Sequence, residues 1–346
     1  MKLGIIGLPG AGKSTMFEAL THIRPEGGAA NRLENRIGTI RVPDERIDYL
    51  SALFQPNKTI YAQIEYLLPR LSVYKQDQSR EESTWTDVRT CDALIHVVRN
   101  FKDYSQDPPN PGQDFHTLDQ EMIFADLLVV EKRLERIVLD SKRGKKTDEE
   151  ERRLLAECQE MLEKEIPLRR NPELAGARPL KGFTFLSAKP MLVLFNNEDD
   201  DDCLPATAAS LSHEKCMVTR GRLEHELFQM APEDVEDFLA EFNVTSSAMD
   251  RVLAASYKLL GLVSFFTVGK DEVRAWTIPE STSAVDAAEV IHSDIKKGFI
   301  RAEVLAYDDL RAVGSYKEAR KMGTVRLEGK TYLVRDGDII EFRFNV

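Results

Sequence analysis

The chain has 346 residues, 42% hydrophobic and 30% charged, with a formal net charge of -11. That length exceeds one ordinary core, so two or three domains are expected; the composition excludes a disordered chain, and the charge excludes uniform nonspecific nucleic-acid binding while permitting a local basic face. With no run of about 18 apolar residues, neither a membrane-spanning helix nor a secretory leader is expected, and cysteines without metal-type spacing fit a reducing cytoplasm.

Leu3, Ile5 and Ile6 predict a short buried strand, and Met16, Phe17, Ala19 and Leu20 predict the apolar stripe of a helix. Between them stands Gly7-Leu8-Pro9-Gly10-Ala11-Gly12-Lys13-Ser14-Thr15, whose glycines, lysine and hydroxyl fall at phosphate-loop spacing. The glycines let the backbone curl so that several amide hydrogens face one concavity, and the helix adds the positive end of its dipole. Contacts to a nucleoside triphosphate are therefore expected from Gly10, Ala11, Gly12, Lys13, Ser14 and Thr15. Lys13 would reach the β- and γ-phosphates, and the Ser14 hydroxyl would take one position on Mg²⁺, a hard cation that prefers oxygen. A glycine turn without a ligand would need neither Lys13 nor Ser14.

Past a polar segment at 24–36, residues 37–42 predict a strand, 44–54 a helix and 60–68 a further strand. Hydrolysis of a bound triphosphate normally draws on a threonine of the first loop, then on an aspartate and a glycine at the end of the next strand. Thr39 instead lies within its strand pattern, and the later strand runs into Leu68-Pro69-Arg70-Leu71. Residues 72–87 read as a polar loop. Residues 93–98 form the continuous apolar run of a buried parallel strand, with His96 expected to be a hydrogen-bonded core residue.

Leu127, Val130, Leu134 and Ile137, then Leu154, Cys158 and Met161, recur at helical spacing and predict a helical hairpin, its second helix opened by a Thr147/Glu150 capping box. The turn carries Lys142, Arg143, Lys145 and Lys146, which either meet an acidic partner such as RNA or stay solvated at a helix carboxyl end. Residues 191–195 predict another buried strand, leading into Asn196-Asn197-Glu198-Asp199. At the carboxyl end of a parallel strand such groups can read a base. Asn196 is expected to brace the phosphate loop, and Asp199 could accept from guanine N1–H and its exocyclic amine. A strand at 215–219 precedes Arg220-Gly221, with helices at 233–242 and 247–260.

Beyond Gly261 the pattern changes to short strands at 263–268, 272–278, 299–306, 324–327, 331–334 and 339–344 around one helix at 284–297, which predicts a small mixed domain with its own core. Lys296, Lys297, Arg301, Lys317, Arg320 and Lys321 are candidates for a basic face.

Several stretches now resemble one family along nearly the whole chain. They include the loop residues Gly7-Leu8-Pro9 and Gly12-Lys13-Ser14-Thr15, Cys91 through Arg99, Ala125-Asp126-Leu127 and Lys189-Pro190. At the carboxyl end they include Glu272-Val273-Arg274-Ala275-Trp276-Thr277, Gly298 through Val304 and Asp336-Gly337-Asp338. The resemblance is to the YchF or Obg-like ATPases, translation-factor-class P-loop proteins, and the carboxyl end resembles a TGS domain, a ubiquitin-like β-grasp module. It implies an α/β fold: a P-loop (G-type) NTPase domain with a parallel-type sheet over residues 1–117 and 176–262, an inserted helical hairpin or coiled coil at 118–175, and a TGS β-grasp domain at 263–346. It further implies GTP or ATP with Mg²⁺, and ribosome or RNA contact through the hairpin and the TGS domain, with neither membrane nor DNA as partner. Carried over by position, base-side contacts fall on Asn196, Asn197, Asp199, Arg220 and Gly221, and the metal on Ser14.

The departures bear on activity. The family's Asp-x-Ala-Gly falls on Leu68-Pro69-Arg70-Leu71, its first-switch threonine is missing with Arg32 near that place, Asn-x-x-Glu becomes Asn196-Asn197-Glu198-Asp199, and Ser-Ala becomes Arg220-Gly221. Nucleotide binding with slow or impaired hydrolysis and a ribosome-associated regulatory role is the expected function, with a nucleotide-stabilised interaction scaffold as the alternative. A small-molecule P-loop kinase would leave the carboxyl domain without a role.

Overall fold

The protein is described from a computed structural model over residues 1–23, 34–70, 85–102, 108–230 and 248–345. Arg32, most of the loop expected at 72–87 and the helix expected at 233–242 lie outside the described residues. The chain forms two compact units, residues 1–39 with 65–256 and residues 40–64 with 257–346.

The strands are β1 (Lys2–Ile6), β2 (Arg36–Arg41), β3 (Lys58–Ile60), β4 (Gln63–Leu68), β5 (Ala93–Asn100), β6 (Met191–Asn197), β7 (Lys215–Thr219), β8 (Leu262–Val268), β9 (Glu272–Pro279), β10 (Phe299–Ala306), β11 (Arg326–Glu328) and β12 (Asp338–Phe344). The first unit is built on a sheet of order β2-β4-β1-β5-β6-β7, and β4, β1, β5, β6 and β7 run parallel. Both faces of such a sheet are covered, which is why all seven residues of β6 are buried and its apolar run is unbroken. Phe115, Leu118 and Met122, on the helix Pro111–Lys142, fill one face against Leu94, Val98 and Phe195. Because β1 lies between β4 and β5, the chain leaves it to one side of the sheet and later returns on the other, which opens a crevice beyond its carboxyl end.

The hairpin pairs Pro111–Lys142 with Glu149–Glu163, and Ile123, Val130 and Ile137 meet Leu155, Cys158 and Leu162. Its second helix is capped one residue later than expected. Asp148, not Thr147, accepts from the amides of Glu150 and Glu151 at 3.0 and 3.2 Å, since a carboxylate oxygen can take both orphan donors. Asp126 anchors the hairpin to the sheet unit. Fully buried, it accepts from Arg89 Nη1 at 2.8 Å and from the amides of Leu186 and Ser187 at 3.1 and 2.7 Å. Asp126→Ala leaves two buried amides without an acceptor and Arg89 with only the carbonyls of Thr184 and Ala125, and is expected to lower unfolding stability by about 2–4 kcal/mol. A urea midpoint unchanged from wild type would show the cluster to be energetically neutral.

The second unit has the strand order β11-β10-β12-β8-β9-β3. Its β8 and β12 are parallel neighbours at the centre, flanked by antiparallel β9 and β10, which is the β-grasp arrangement. Alternation along the strands divides its core. Phe265, Val304 and Ile340 face the helix Ala284–Ile291, while Phe266, Leu305 and Ile339 face Ile47, Leu50, Leu310 and Ala319. The latter group comes from the helices Glu45–Phe54, Tyr307–Val313 and Tyr316–Met322.

This arrangement differs from the sequence reading in several places. Residues 40–64 belong to the second unit, because β3 pairs with β9 and the helix Glu45–Phe54 covers the second face of that sheet. The strand expected at 60–68 is consequently two strands with Tyr61 and Ala62 between them. The helix expected at 284–297 breaks at His292, whose extended backbone (φ -165°, ψ 139°) ends one helix, while its Nδ1 caps the next by accepting from Asp294 N at 3.2 Å. Residues 331–334 make only an isolated bridge from Leu333 to Ser283, being held in turns by Tyr332 N to Gly329 O and Asp338 N to Arg335 O.

Candidate functional site: a phosphate cradle beyond β1

The loop after β1 has positive φ at Gly7, Gly10 and Gly12 (152°, 79° and 96°) and leads into the helix Lys13–Thr21. At two of these positions a side chain has no room. A Cβ on Gly7 would lie 2.3 Å from the Val97 carbonyl oxygen, and one on Gly12 would lie 2.4 Å from Asn196 Nδ2. No side chain caps the first turn of the helix, so its amide donors and positive dipole end have no side-chain acceptor. Lys13 folds back over the loop and donates from Nζ to Leu8 O at 2.8 Å. Burial alone, without a carboxylate partner, lowers its pKa to about 8. A cluster of amides closed by an ammonium held short of counter-charge is a site built for a polyanion.

Asn196, at the end of β6, joins this loop to the next helix. It is buried, donates from Nδ2 to Ala11 O at 3.1 Å and accepts from Gly221 N at 2.9 Å, where the helix Gly221–Gln229 begins. Asn196→Ala leaves a buried amide and a buried carbonyl without partners, and is expected to cost about 1–3 kcal/mol of stability. Denaturant titration checks it, and a wild-type midpoint would mean that the phosphate loop does not depend on this bridge.

The other residues expected near the base are divided. Arg220 stands with Gly221 at the start of that helix and donates from Nη1 to Asp199 O at 3.3 Å. Asn197 is buried, donating to Cys203 O at 2.8 Å and accepting from Asn100 Nδ2 at 2.9 Å, so it shapes the loop. Asp199 lies 3.5 Å from Arg222 Nε in an exposed pair, which leaves its carboxylate exchangeable.

Among curated proteins, the ribosome-binding ATPase YchF of Bacillus subtilis is 35% identical to this chain over 366 aligned residues, with 99% of each covered. The corresponding protein of Escherichia coli O157:H7 is 33% identical, with 100% of this chain and 99% of that protein covered. The chain belongs to the YchF family. A solved Schizosaccharomyces pombe YchF GTPase matches its fold with a TM-score of 0.83 at 26% identity, covering 99% of this chain and 97% of that one. The family description "YchF-GTPase_C: Protein of unknown function (DUF933)" matches residues 262–345, the β-grasp end.

The end of β4 is apolar. Leu68, Pro69 and Arg70 offer no metal-ligating side chain there, and the described residues hold no group of three or more His, Cys, Asp or Glu side chains suited to a metal. Among the described residues, the exposed Ser14 hydroxyl is the oxygen the loop can offer Mg²⁺, and a single side-chain oxygen leaves the rest of the shell to water and phosphate. Sequence reasoning missed Asn35, whose Oδ1 accepts from Arg70 N at 2.9 Å and ties the end of β4 to the start of β2. A lone asparagine in a polar stretch gives no signal of that. His96 also departs from expectation. It is fully buried and stacked on Phe115 at 5.3 Å, neither ring nitrogen has a partner among the described residues, and burial pushes its pKa down to about 3, so it is a neutral packing group.

Proposed function

We propose that this protein binds GTP or ATP at residues 10–15, hydrolyses it slowly or not at all, and acts as a regulatory factor on ribosomes. The observation that carries the reading is the uncapped helix start closed by Lys13, a half-buried cation without a carboxylate partner among the described residues. Support for the ribosome comes from the relatives, named ribosome-binding ATPases, and from the exposed hairpin turn. Of its four cations, Lys145 is held by Asp140 at 2.8 Å, while Lys142, Arg143 and Lys146 stand exposed beside it as candidate phosphate contacts. The β-grasp unit is the second candidate contact. In this reading the unit of residues 1–39 and 65–256 serves the nucleotide and carries the hairpin, and the unit of residues 40–64 and 257–346 acts as the TGS module, in the cytoplasm.

Calorimetric titration with ATP, GTP and their diphosphates, with and without Mg²⁺, tests the site, and co-sedimentation with ribosomes in rising salt tests the destination. Absence of binding by every nucleotide would end the proposal. The scaffold alternative is separated by hydrogen exchange over residues 27–36 and 72–87: protection that differs between di- and triphosphate marks a switch, and identical protection marks a scaffold.

A further inference from the structure

A second cationic residue, Arg70, follows the strand that pairs with β1. In the pairing of β1 with β4, Gly4 lies opposite Leu67, and the two strands run parallel. Three residues further on, one chain reaches Gly7, where the phosphate loop begins, and the other reaches Arg70. The Arg70 backbone is fixed at that level by its bond to Asn35. Its half-buried guanidinium, by contrast, has no hydrogen-bond or ion-pair partner among the described residues. Other arginines of the same unit are engaged: Arg36 by Glu18, Arg89 by Asp126 and Arg169 by Asp119, each at 2.8 Å. In phosphate-loop proteins this strand end faces the terminal phosphate and holds the metal. Here Leu68 ends the strand in place of a carboxylate, and two residues on comes an arginine, whose fork of N–H donors suits phosphate oxygens.

We infer that Arg70 binds the terminal phosphate of a triphosphate in this cradle, in place of a protein-held metal, and thereby sets the preference for triphosphate over diphosphate. The inference rests on the reading that residues 10–15 bind a nucleotide. It goes further in naming which phosphate a residue outside the loop recognises, and in making recognition nearly independent of Mg²⁺.

The test is titration of the full chain with the uncleavable imido analogues of ATP and GTP and with ADP and GDP, in excess Mg²⁺ and in EDTA. Arg70→Gln is expected to weaken triphosphate binding about 10- to 100-fold and diphosphate binding less than about threefold, with Arg70→Lys between the two. EDTA is expected to shift wild-type triphosphate affinity by less than about threefold, against the larger loss of a metal-held ligand. Equal losses for di- and triphosphate, unchanged triphosphate affinity in Arg70→Gln, or collapse of wild-type affinity in EDTA would each overturn the inference. Should Arg70→Gln fail to fold, Arg70→Lys with a wild-type unfolding midpoint decides the matter by the same comparison. Wild-type protein that binds no nucleotide would instead overturn the underlying assignment, whereas diphosphate binding that Lys13→Ala removes and Arg70→Gln spares keeps the two apart.

Discussion

Lys13→Ala is expected to weaken triphosphate binding about 100-fold or more, equivalent to about 2.7 kcal/mol. The ammonium closes the cradle and, in the free protein, is satisfied by a single carbonyl, Leu8 O, so an arriving phosphate meets a cation with unused bonding capacity. Its pH dependence gives a second signature. Burial lowers the Lys13 pKa from 10.5 to about 8 in the free protein, and a bound polyanion raises it again, so binding above that pH takes up a proton. Wild-type affinity should therefore fall by up to about tenfold per unit above pH 8, and the variant should lose this slope. Without ligand, the unfolded chain holds more protons at this position than the folded one between pH 8 and 10.5. The lysine contribution to stability thus rises across that window, and its unfavourable burial is fully felt below it. Calorimetry on both sides of pH 8 checks the affinity, and a flat wild-type profile would show that another group supplies the charge.

What could be read in advance was local. The phosphate loop, β6 and the hairpin each declare themselves within a few dozen residues, because turn chemistry and helical or strand periodicity act between near neighbours. The assignment of residues 40–64 to the second unit was not legible. Ile47 and Leu50 announce an apolar helix face without saying which sheet it covers, and the decisive pairing, Lys58 with Glu272, joins positions remote in the chain. The helices Tyr307–Val313 and Tyr316–Met322 escaped notice for a related reason. Leu310 and Ala319 are among the few apolar anchors in charge-rich segments, and their burial depends on the sheet they meet. At the site, Asn196 was legible from its position after a buried strand. The diversion of Asn197 into contacts with Asn100 and Cys203, and the bond from Arg70 to Asn35, required the folded loops.

Turnover is expected to stay well below about 1 per second, the lower end of ordinary enzyme rates. In-line attack on a terminal phosphate needs a positioned water and stabilisation of charge that develops in the transition state, and loss of one such group costs on the order of 10²-fold or more. The strand end that would carry the metal aspartate has Leu68, and the sequence has Leu71, with a side chain and less backbone freedom, where a glycine would let its amide approach the phosphate. A guanidinium at Arg70 does not restore the rate if it already holds the triphosphate in the ground state, because an interaction equally strong before and during reaction raises affinity and leaves the barrier unchanged. Nor is the loss undone by one reversal. Leu68 is 6% exposed, and Leu68→Asp would place a carboxylate in the sheet, which is costly unless a metal arrives to pair with it. Phosphate release measured under single-turnover and steady-state conditions, on protein shown by titration to be loaded, checks the expectation. A rate at or above about 1 per second would mean that residues outside the described segments supply the water-positioning group, and that binding and catalysis are not separated in this chain.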